Sequence, residues 1–90
     1  MKNNQVALIT GASSGIGAAM AVEFAKKGFK LALLARREDR LNEIAQKVKD
    51  QGSDALPIVC DIRKRSDLDR AVQQIIQTWG EIKIVVANAG

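Results

Sequence analysis

Short apolar runs alternate along the chain with stretches in which apolar residues recur every three or four positions. The runs occupy residues 6–9, 31–35, 55–60 and 82–87, and continuous apolar runs of this length are typical of strands buried on both faces of a sheet. Pro57 lies inside the third run. It predicts an edge position for that strand, because proline cannot donate a hydrogen bond to a neighbouring strand.

The stretches between the runs predict three helices. The first spans about residues 16–27 and the second begins near Asp39. Gly28 comes directly after the first stretch, where a glycine commonly ends a helix, and Gly52 follows the apolar positions of the second. The third helix opens with the sequence SDLD at residues 66–69, which resembles a capping box with an Asp in place of the usual Glu or Gln.

The resulting order, β-α-β-α-β-α-β, predicts an α/β fold with a doubly wound parallel sheet. Parallel strands need crossover connections, and these are nearly always right-handed. We therefore predict half of a Rossmann-type fold with the strand order 3-2-1-4, in which the first strand is central. In such a sheet a ligand crevice is expected at the carboxyl ends of the first and fourth strands.

Composition narrows the class of protein further. The 90 residues suit one small domain, and a content of 47% hydrophobic and 27% charged residues is ordinary for a globular protein. The single Cys60 cannot form an internal disulfide, and no apolar stretch is long enough to span a bilayer. We therefore expect a cytoplasmic protein that does not enter a membrane, and the sequence predicts no metal site.

The net charge of +4 is concentrated in basic clusters at residues 36–37 and 63–65, among others. Such clusters are usually solvated surface, and the remaining interpretations are an anionic ligand or nucleic acid. The aromatic residues Phe24, Phe29 and Trp79 all occupy predicted core positions, and no nucleic-acid-binding module is recognisable. We therefore predict no nucleic-acid partner.

A glycine-rich turn, TGASSGIG at residues 10–17, connects the first strand to the first helix. Gly11 allows the chain to leave the strand, Gly15 leaves bare backbone for a pyrophosphate, and Gly17 lets the helix pack against the strands. The hydroxyls of Ser13 and Ser14 lie within reach of phosphate or ribose oxygens. The alternative is a glycine-rich turn that binds no ligand.

The end of the second strand indicates which dinucleotide is preferred. A NAD site usually has an acidic residue there, whereas this chain has Ala35 followed by Arg36 and Arg37. An arginine at this place can pair with a 2′-phosphate and stack on adenine. The sequence therefore favours NADP (NADPH) over NAD, and the alternative is that both arginines are surface residues.

The third strand is followed by Asp61 and Ile62. A carboxylate at this edge of the sheet can accept a hydrogen bond from the amino group of adenine, with Ile62 against the ring. The alternative is that Asp61 only begins the turn into the basic cluster at residues 63–65. We interpret Cys60 as a small buried hydrophobic residue.

These elements resemble the short-chain dehydrogenase/reductase family. Residues 10–17 are similar to its T-G-x-x-x-G-I-G element, Asp61-Ile62 to its Asp-hydrophobic pair, and residues 87–90 to its N-N-A-G element. The resemblance implies that Asn88, Ala89 and Gly90 line the ribose and nicotinamide side of the cofactor. Two positions depart from the family pattern: residue 87 is Ala rather than Asn, and Lys83 replaces a commonly acidic residue. The predicted cofactor-binding residues are Gly11, Ser13, Ser14, Gly15, Ile16, Gly17, Arg36, Arg37, Asp61, Ile62, Asn88, Ala89 and Gly90.

The resemblance also implies a reaction. The family interconverts alcohols and carbonyls by hydride transfer, using a Tyr-x-x-x-Lys pair and a Ser that lie beyond the fourth strand. This chain contains no tyrosine, so we assign no catalytic residue. We expect residues 1–90 to be the N-terminal part of a single NAD(P)-binding domain of an NADP-dependent oxidoreductase, inactive alone. The resemblance implies a small alcohol or carbonyl substrate and a homo-oligomer for the full-length form.

The alternative function is a stand-alone nucleotide-binding or regulatory module without a catalytic role. Such a module would leave the fourth strand as an exposed apolar edge, which favours pairing with another chain.

Overall fold

The computed structural model describes residues 3–88, which form one four-stranded parallel sheet with helices on both faces. The elements are β1 (Val6–Thr10), α1 (Gly15–Lys26), β2 (Lys30–Ala35), α2 (Glu38–Asp50), β3 (Ala55–Val59), α3 (Arg65–Trp79) and β4 (Ile82–Val86). The strand order is β3-β2-β1-β4. The predicted doubly wound fold and its strand order are therefore confirmed. Within the described range, none of the helices combines the length and the apolar character needed to cross a bilayer.

Successive residues of a strand point to opposite faces of the sheet. In β1 and β2 the residues on both faces are buried, apart from the half-buried Lys30. One face packs against α1 and α2, and the other packs against α3. The β1 and β2 residues on the first face are Ala7, Ile9, Leu31, Leu33 and Ala35, and those on the second are Val6, Leu8, Ala32 and Leu34. This two-sided burial explains why β1 and β2 appear in the sequence as continuous apolar runs.

The two edge strands are less buried than the sequence predicts. β3 carries Pro57 at one edge, as predicted, and its residues are half-buried or exposed. β4 forms the other edge, and its Lys83 and Val85 are exposed. The register with β1 shifts so that Lys83 is left unmatched between Ile82 and Ile84. The prediction of burial on both faces is wrong for β3 and β4, because an edge strand has a neighbour on one side only.

The start of α3 differs from the prediction. The helix begins at Arg65, with Lys64 at the N-cap position and no side-chain hydrogen bond capping it. The predicted capping box at residues 66–69 is therefore wrong. A turn in which the Lys64 N–H donates to the Asp61 carbonyl oxygen (2.9 Å) starts the helix earlier. The carboxylate of Asp67 instead accepts a hydrogen bond of 3.2 Å from the Asp61 N–H, in the segment that leads into the helix.

Candidate functional site

A cleft of about 310 Å³ opens at the carboxyl edge of the sheet, where β1, β2 and β3 end. It brings together residues that lie far apart in the sequence. Its lining consists of Gly11, Ser13, Leu34, Ala35, Arg36, Arg37, Cys60, Asp61, Ile62, Arg63 and Asn88. Most of the predicted site residues are in this lining or in the adjoining first turn of α1. Ala89 and Gly90 lie outside the described residues.

Two glycines of the turn are required by close packing. Gly11 has a φ of 63°, a conformation that side chains disfavour, and a Cβ added there would overlap the carbonyl oxygen of Asn88. A Cβ on Gly17 would overlap the carbonyl oxygen of Gly11 and would lie 2.9 Å from the side-chain nitrogen of Asn88. These two positions therefore let α1, the turn and the end of β4 approach one another.

Gly15 has a different environment from the other two glycines of the turn. It is exposed, and a Cβ added there would have no atom within 4 Å. The amides of Gly15 and Ile16 precede the first hydrogen bonds of α1, which run to Ser14 from Gly17 and Ala18. The N-terminus of a helix carries a partial positive charge. The open backbone at Gly15 thus offers an anion both donors and room.

The two serines of the turn differ in the use of their hydroxyls. Ser14 is the N-cap of α1: its Oγ accepts from the Gly17 N–H (3.1 Å) and donates to the Gly11 carbonyl oxygen (3.0 Å). The same oxygen also accepts a hydrogen bond of 2.7 Å from the side-chain amide of Asn88. Ser13 lines the cleft, and its hydroxyl makes no hydrogen bond within residues 3–88. Ser14 therefore holds the turn, while Ser13 has its hydroxyl available.

Asn88 connects the end of β4 to the turn. Its side-chain amide donates to the Gly11 carbonyl oxygen at 3.2 Å as well as to Ser14, and its N–H donates to the Thr10 hydroxyl at 3.1 Å. The Thr10 hydroxyl in turn donates to the Val86 carbonyl oxygen at 3.4 Å. The end of β4 and the start of the turn are thereby held in one arrangement.

The two arginines after β2 have different neighbours. Both are exposed, and both line the cleft. The Arg37 guanidinium lies 3.7 Å from the Asp39 carboxylate in the first turn of α2, and the two side chains are 70% and 71% exposed. Such an exposed pair contributes little stability. The positive charge of Arg36 instead acts on Asp61 across the cleft, where it helps to lower the pKa of that carboxyl group.

Asp61 forms a bidentate pair with Arg63, which the sequence reasoning did not single out. Arg63 Nε donates to Oδ1 at 3.0 Å, Nη2 donates to Oδ2 at 3.1 Å, and the Arg63 N–H donates to Oδ1 at 3.1 Å. Hydrogen bonds from Arg63 lower the pKa of Asp61 to about 2, so the cleft contains a carboxylate at neutral pH. Asp61 also begins a turn, as the alternative interpretation held. The signal for the pair is the Asp-x-Arg spacing directly after a strand.

Cys60 forms part of the cleft wall and is 2% exposed, which confirms its interpretation as a small buried residue. Burial raises the pKa of its thiol, and the negative charges of Asp67 and Asp61 raise it further. The group is therefore a neutral thiol at neutral pH, and only the deprotonated form is strongly nucleophilic.

A comparison with family models finds a match to the model described as short chain dehydrogenase over residues 5–90. The chain belongs to the short-chain dehydrogenase/reductase family. It is 42% identical over 87 residues to an uncharacterised oxidoreductase of Listeria innocua, and the match covers 97% of this chain and 35% of that protein. The chain thus spans about a third of the length of this relative.

Solved structures of dehydrogenases and reductases also superpose closely on this chain. An NAD⁺-bound xylitol dehydrogenase is 32% identical with a TM-score of 0.95, and the match covers 98% of this chain and 34% of that one. L-Sorbose reductase from Gluconobacter frateurii, solved with NADPH and L-sorbose, is 41% identical with a TM-score of 0.90, over 96% of this chain and 33% of that one. The parallel α/β fold of this chain is therefore shared with these dehydrogenase and reductase structures.

Proposed function

We propose that residues 1–90 form the N-terminal, cofactor-binding part of a single NAD(P)-binding domain, and that the whole protein is an oxidoreductase. Its reaction is the interconversion of an alcohol and a carbonyl, and its preferred cofactor is NADP. The observation that carries this proposal is the common cleft of Gly11, Ser13, Arg36 and Asp61, next to the open amides of α1. When bound, the nicotinamide ring supplies or accepts a hydride.

The residues of the cleft fit the adenosine end of such a cofactor. Gly15 leaves room at the helix N-terminus where a pyrophosphate can approach the backbone, as a side chain is absent and no other atom fills the space. The ionised Asp61 can accept a hydrogen bond from the adenine amino group, and the exposed Ile62 can contact the ring. A volume of about 310 Å³ suits a nucleoside rather than a whole dinucleotide, so we assign the adenosine end to this cleft.

The preference for NADP is supported by charge at the end of β2. Ala35 offers no carboxylate to a ribose 2′-hydroxyl, and Arg36 presents an exposed guanidinium at the cleft without an ion pair in residues 3–88. A guanidinium can form paired hydrogen bonds to a 2′-phosphate. The similar structures include an NAD⁺ complex and an NADPH complex, so the support for NADP comes from Ala35 and Arg36 of this chain. The cytoplasmic location and the homo-oligomeric state remain predictions from the sequence.

The proposal is tested by titrating the purified chain with NADPH and with NADH, followed by calorimetry. We expect NADPH to bind about tenfold more tightly, which is about the size of one hydrogen bond to a charged group. Arg36→Gln is expected to bring the two affinities together. Arg40→Gln, an equal change of charge on an exposed residue of α2, is expected to leave the ratio unchanged. Equal affinities in the unmodified chain would contradict the NADP preference, and a folded chain that binds neither would contradict the proposed function.

A further inference from the structure

We propose that Arg63 is a positioning residue that orients the Asp61 carboxylate, and that the pair makes the cleft selective for a purine with an amino group at C6. This inference rests on the proposed function, in which Asp61 contacts the adenine ring. The new element is Arg63, whose guanidinium affects the binding of adenine indirectly, by orienting the Asp61 carboxylate. It also predicts that the site binds adenine more tightly than hypoxanthine, in which a carbonyl oxygen replaces the amino group.

Asp61 is held at its backbone as well as at its side chain. Its N–H donates to the Asp67 carboxylate at 3.2 Å, and its carbonyl oxygen accepts from the Lys64 N–H at 2.9 Å. Asp67 is itself paired with Arg70. The backbone of Asp61 is therefore fixed by the first turn of α3, and the remaining freedom of the residue lies in its side-chain torsions.

Arg63 removes that remaining freedom. A carboxylate has about four acceptor positions, two on each oxygen. Oδ1 accepts from both the N–H and Nε of Arg63, and Oδ2 accepts from Nη2. Among the described residues, this leaves one acceptor position, on Oδ2. A single acceptor position of fixed direction attracts an N–H group and repels a carbonyl oxygen, which gives a preference for the amino purine.

The exposure of the two side chains agrees with this division of roles. The Asp61 side chain is 18% exposed, whereas that of Arg63 is 72% exposed. The guanidinium is therefore the more solvent-exposed partner of the pair, and both residues line the cleft together with Ile62. Because hydrogen bonds from Arg63 also keep the pKa of Asp61 low, the acceptor stays ionised across the neutral and mildly acidic range.

The test compares the affinities for NADPH and for nicotinamide hypoxanthine dinucleotide phosphate, the analogue with the carbonyl oxygen. The chain is expected to prefer NADPH about tenfold, as a hydrogen bond to a charged acceptor implies. Arg63→Gln is expected to reduce this ratio to about twofold, since an amide lacks the forked geometry of a guanidinium. Arg65→Gln is the matched control: its side chain is 91% exposed, lies outside the cleft lining and pairs only weakly with Asp69 at 3.8 Å. It is expected to keep the ratio.

A double-mutant cycle shows whether Arg63 acts through Asp61. In an Asp61→Ala background the ratio is already lost, so adding Arg63→Gln is expected to change nothing further. A change of the ratio in that background would overturn the inference. So would an Arg63→Gln variant that weakens both dinucleotides equally, because that result indicates direct contact with phosphate. Arg63→Lys, which keeps the charge without the fork, is expected to lose the selectivity as well and provides the answer if the Gln variant is poorly folded.

The outcomes separate this inference from the proposed function. If the unmodified chain binds NADPH and Arg36→Gln removes the preference over NADH, the proposed function stands whatever Arg63 does. If the hypoxanthine ratio then persists in Arg63→Gln, only the positioning role of Arg63 is wrong. If the folded chain binds no dinucleotide, both fall.

Discussion

The side-chain amide of Asn88 donates a hydrogen bond of 2.7 Å to the hydroxyl of Ser14, across 74 positions of sequence. Ser14 is the N-cap of α1, and Asn88 follows β4. The same amide donates to the Gly11 carbonyl oxygen at 3.2 Å. The last strand of the sheet therefore fixes the conformation of the turn that connects the first strand to the first helix.

Removing this connection is expected to destabilise the chain. Asn88→Ala deletes two side-chain hydrogen bonds, and at about 0.5–1.5 kcal/mol each we expect the free energy of unfolding to fall by about 1–3 kcal/mol. Urea denaturation measures the change. Asn42→Ala, the same substitution at an exposed position of α2, serves as the control and is expected to cause no loss. Equal effects of the two substitutions would show that the side-chain hydrogen bonds of Asn88 to Gly11 and Ser14 contribute nothing to stability.

The glycines at positions 15 and 17 are expected to respond differently to alanine. Gly17→Ala places a methyl group against the Gly11 carbonyl oxygen, and overpacking of this kind costs about 1–3 kcal/mol of stability. Gly15→Ala meets no neighbouring atom and is expected to leave stability unchanged or to raise it by up to about 1 kcal/mol.

For cofactor binding, in contrast to stability, the substitution expected to have an effect is that of Gly15. Gly15→Ala is expected to lower the affinity for NADPH severalfold, because the added methyl group occupies the open side of the turn where the pyrophosphate is proposed to lie. Thermal unfolding and an NADPH titration of the same variant check both effects. A stable Gly15→Ala chain that binds NADPH normally would mean that the pyrophosphate does not approach this glycine.

The Asp61 carboxyl group is expected to titrate near pH 2 rather than at its ordinary value of 3.8, because Arg63 donates hydrogen bonds to its charged form. A pKa that is lower in the folded state stabilises the fold above the ordinary value, and this contribution disappears as the pH falls towards 2. Carbon NMR of the carboxyl group measures the pKa directly. In Arg63→Gln we expect it to move back towards 3.8, and an unchanged pKa in that variant would contradict the assigned cause.

The thiol of Cys60 is expected to react slowly with a disulfide reagent in the folded chain. It is 2% exposed, and burial raises its pKa, so both access and the thiolate fraction are reduced. We expect the reaction at pH 8 to be at least about tenfold slower than in urea, where the chain is unfolded. A folded chain that reacts as fast as the unfolded one would show that the cleft wall at Cys60 opens readily.

The order and arrangement of the strands could be predicted because they follow from local patterns. Two-sided burial produces the apolar runs of β1 and β2, and the need for right-handed crossovers then fixes the topology. The burial of the edge strands was harder to predict. The apolar run at residues 82–87 is typical of a buried strand, but Lys83 and Val85 in it are exposed. An apolar run indicates that a strand can be buried, but it does not indicate which helices or strands pack against it.

The site was predictable as a set of positions but not as a set of contacts. Glycine spacing and the ends of strands identified Gly11, Arg36 and Asp61, which line one cleft. The use of the Ser14 hydroxyl by Asn88 depends on a contact 74 positions away, which no local pattern contains. The capping prediction failed for a related reason, since the turn that begins at Asp61 starts α3 before the serine is reached.

The most direct test of the account is to map where NADPH binds, by following the amide signals of the isotope-labelled 90-residue chain during a titration. The proposed site predicts the largest shifts at Gly15 and Ile16 in the turn, at Arg36 after β2 and at Asp61 and Ile62 after β3. It predicts little change in the groove between α1 and α2, which Val22 and Lys47 line. Shifts confined to that groove, or no shifts in a folded chain, would contradict the claim that the cleft at the carboxyl edge of the sheet holds the cofactor.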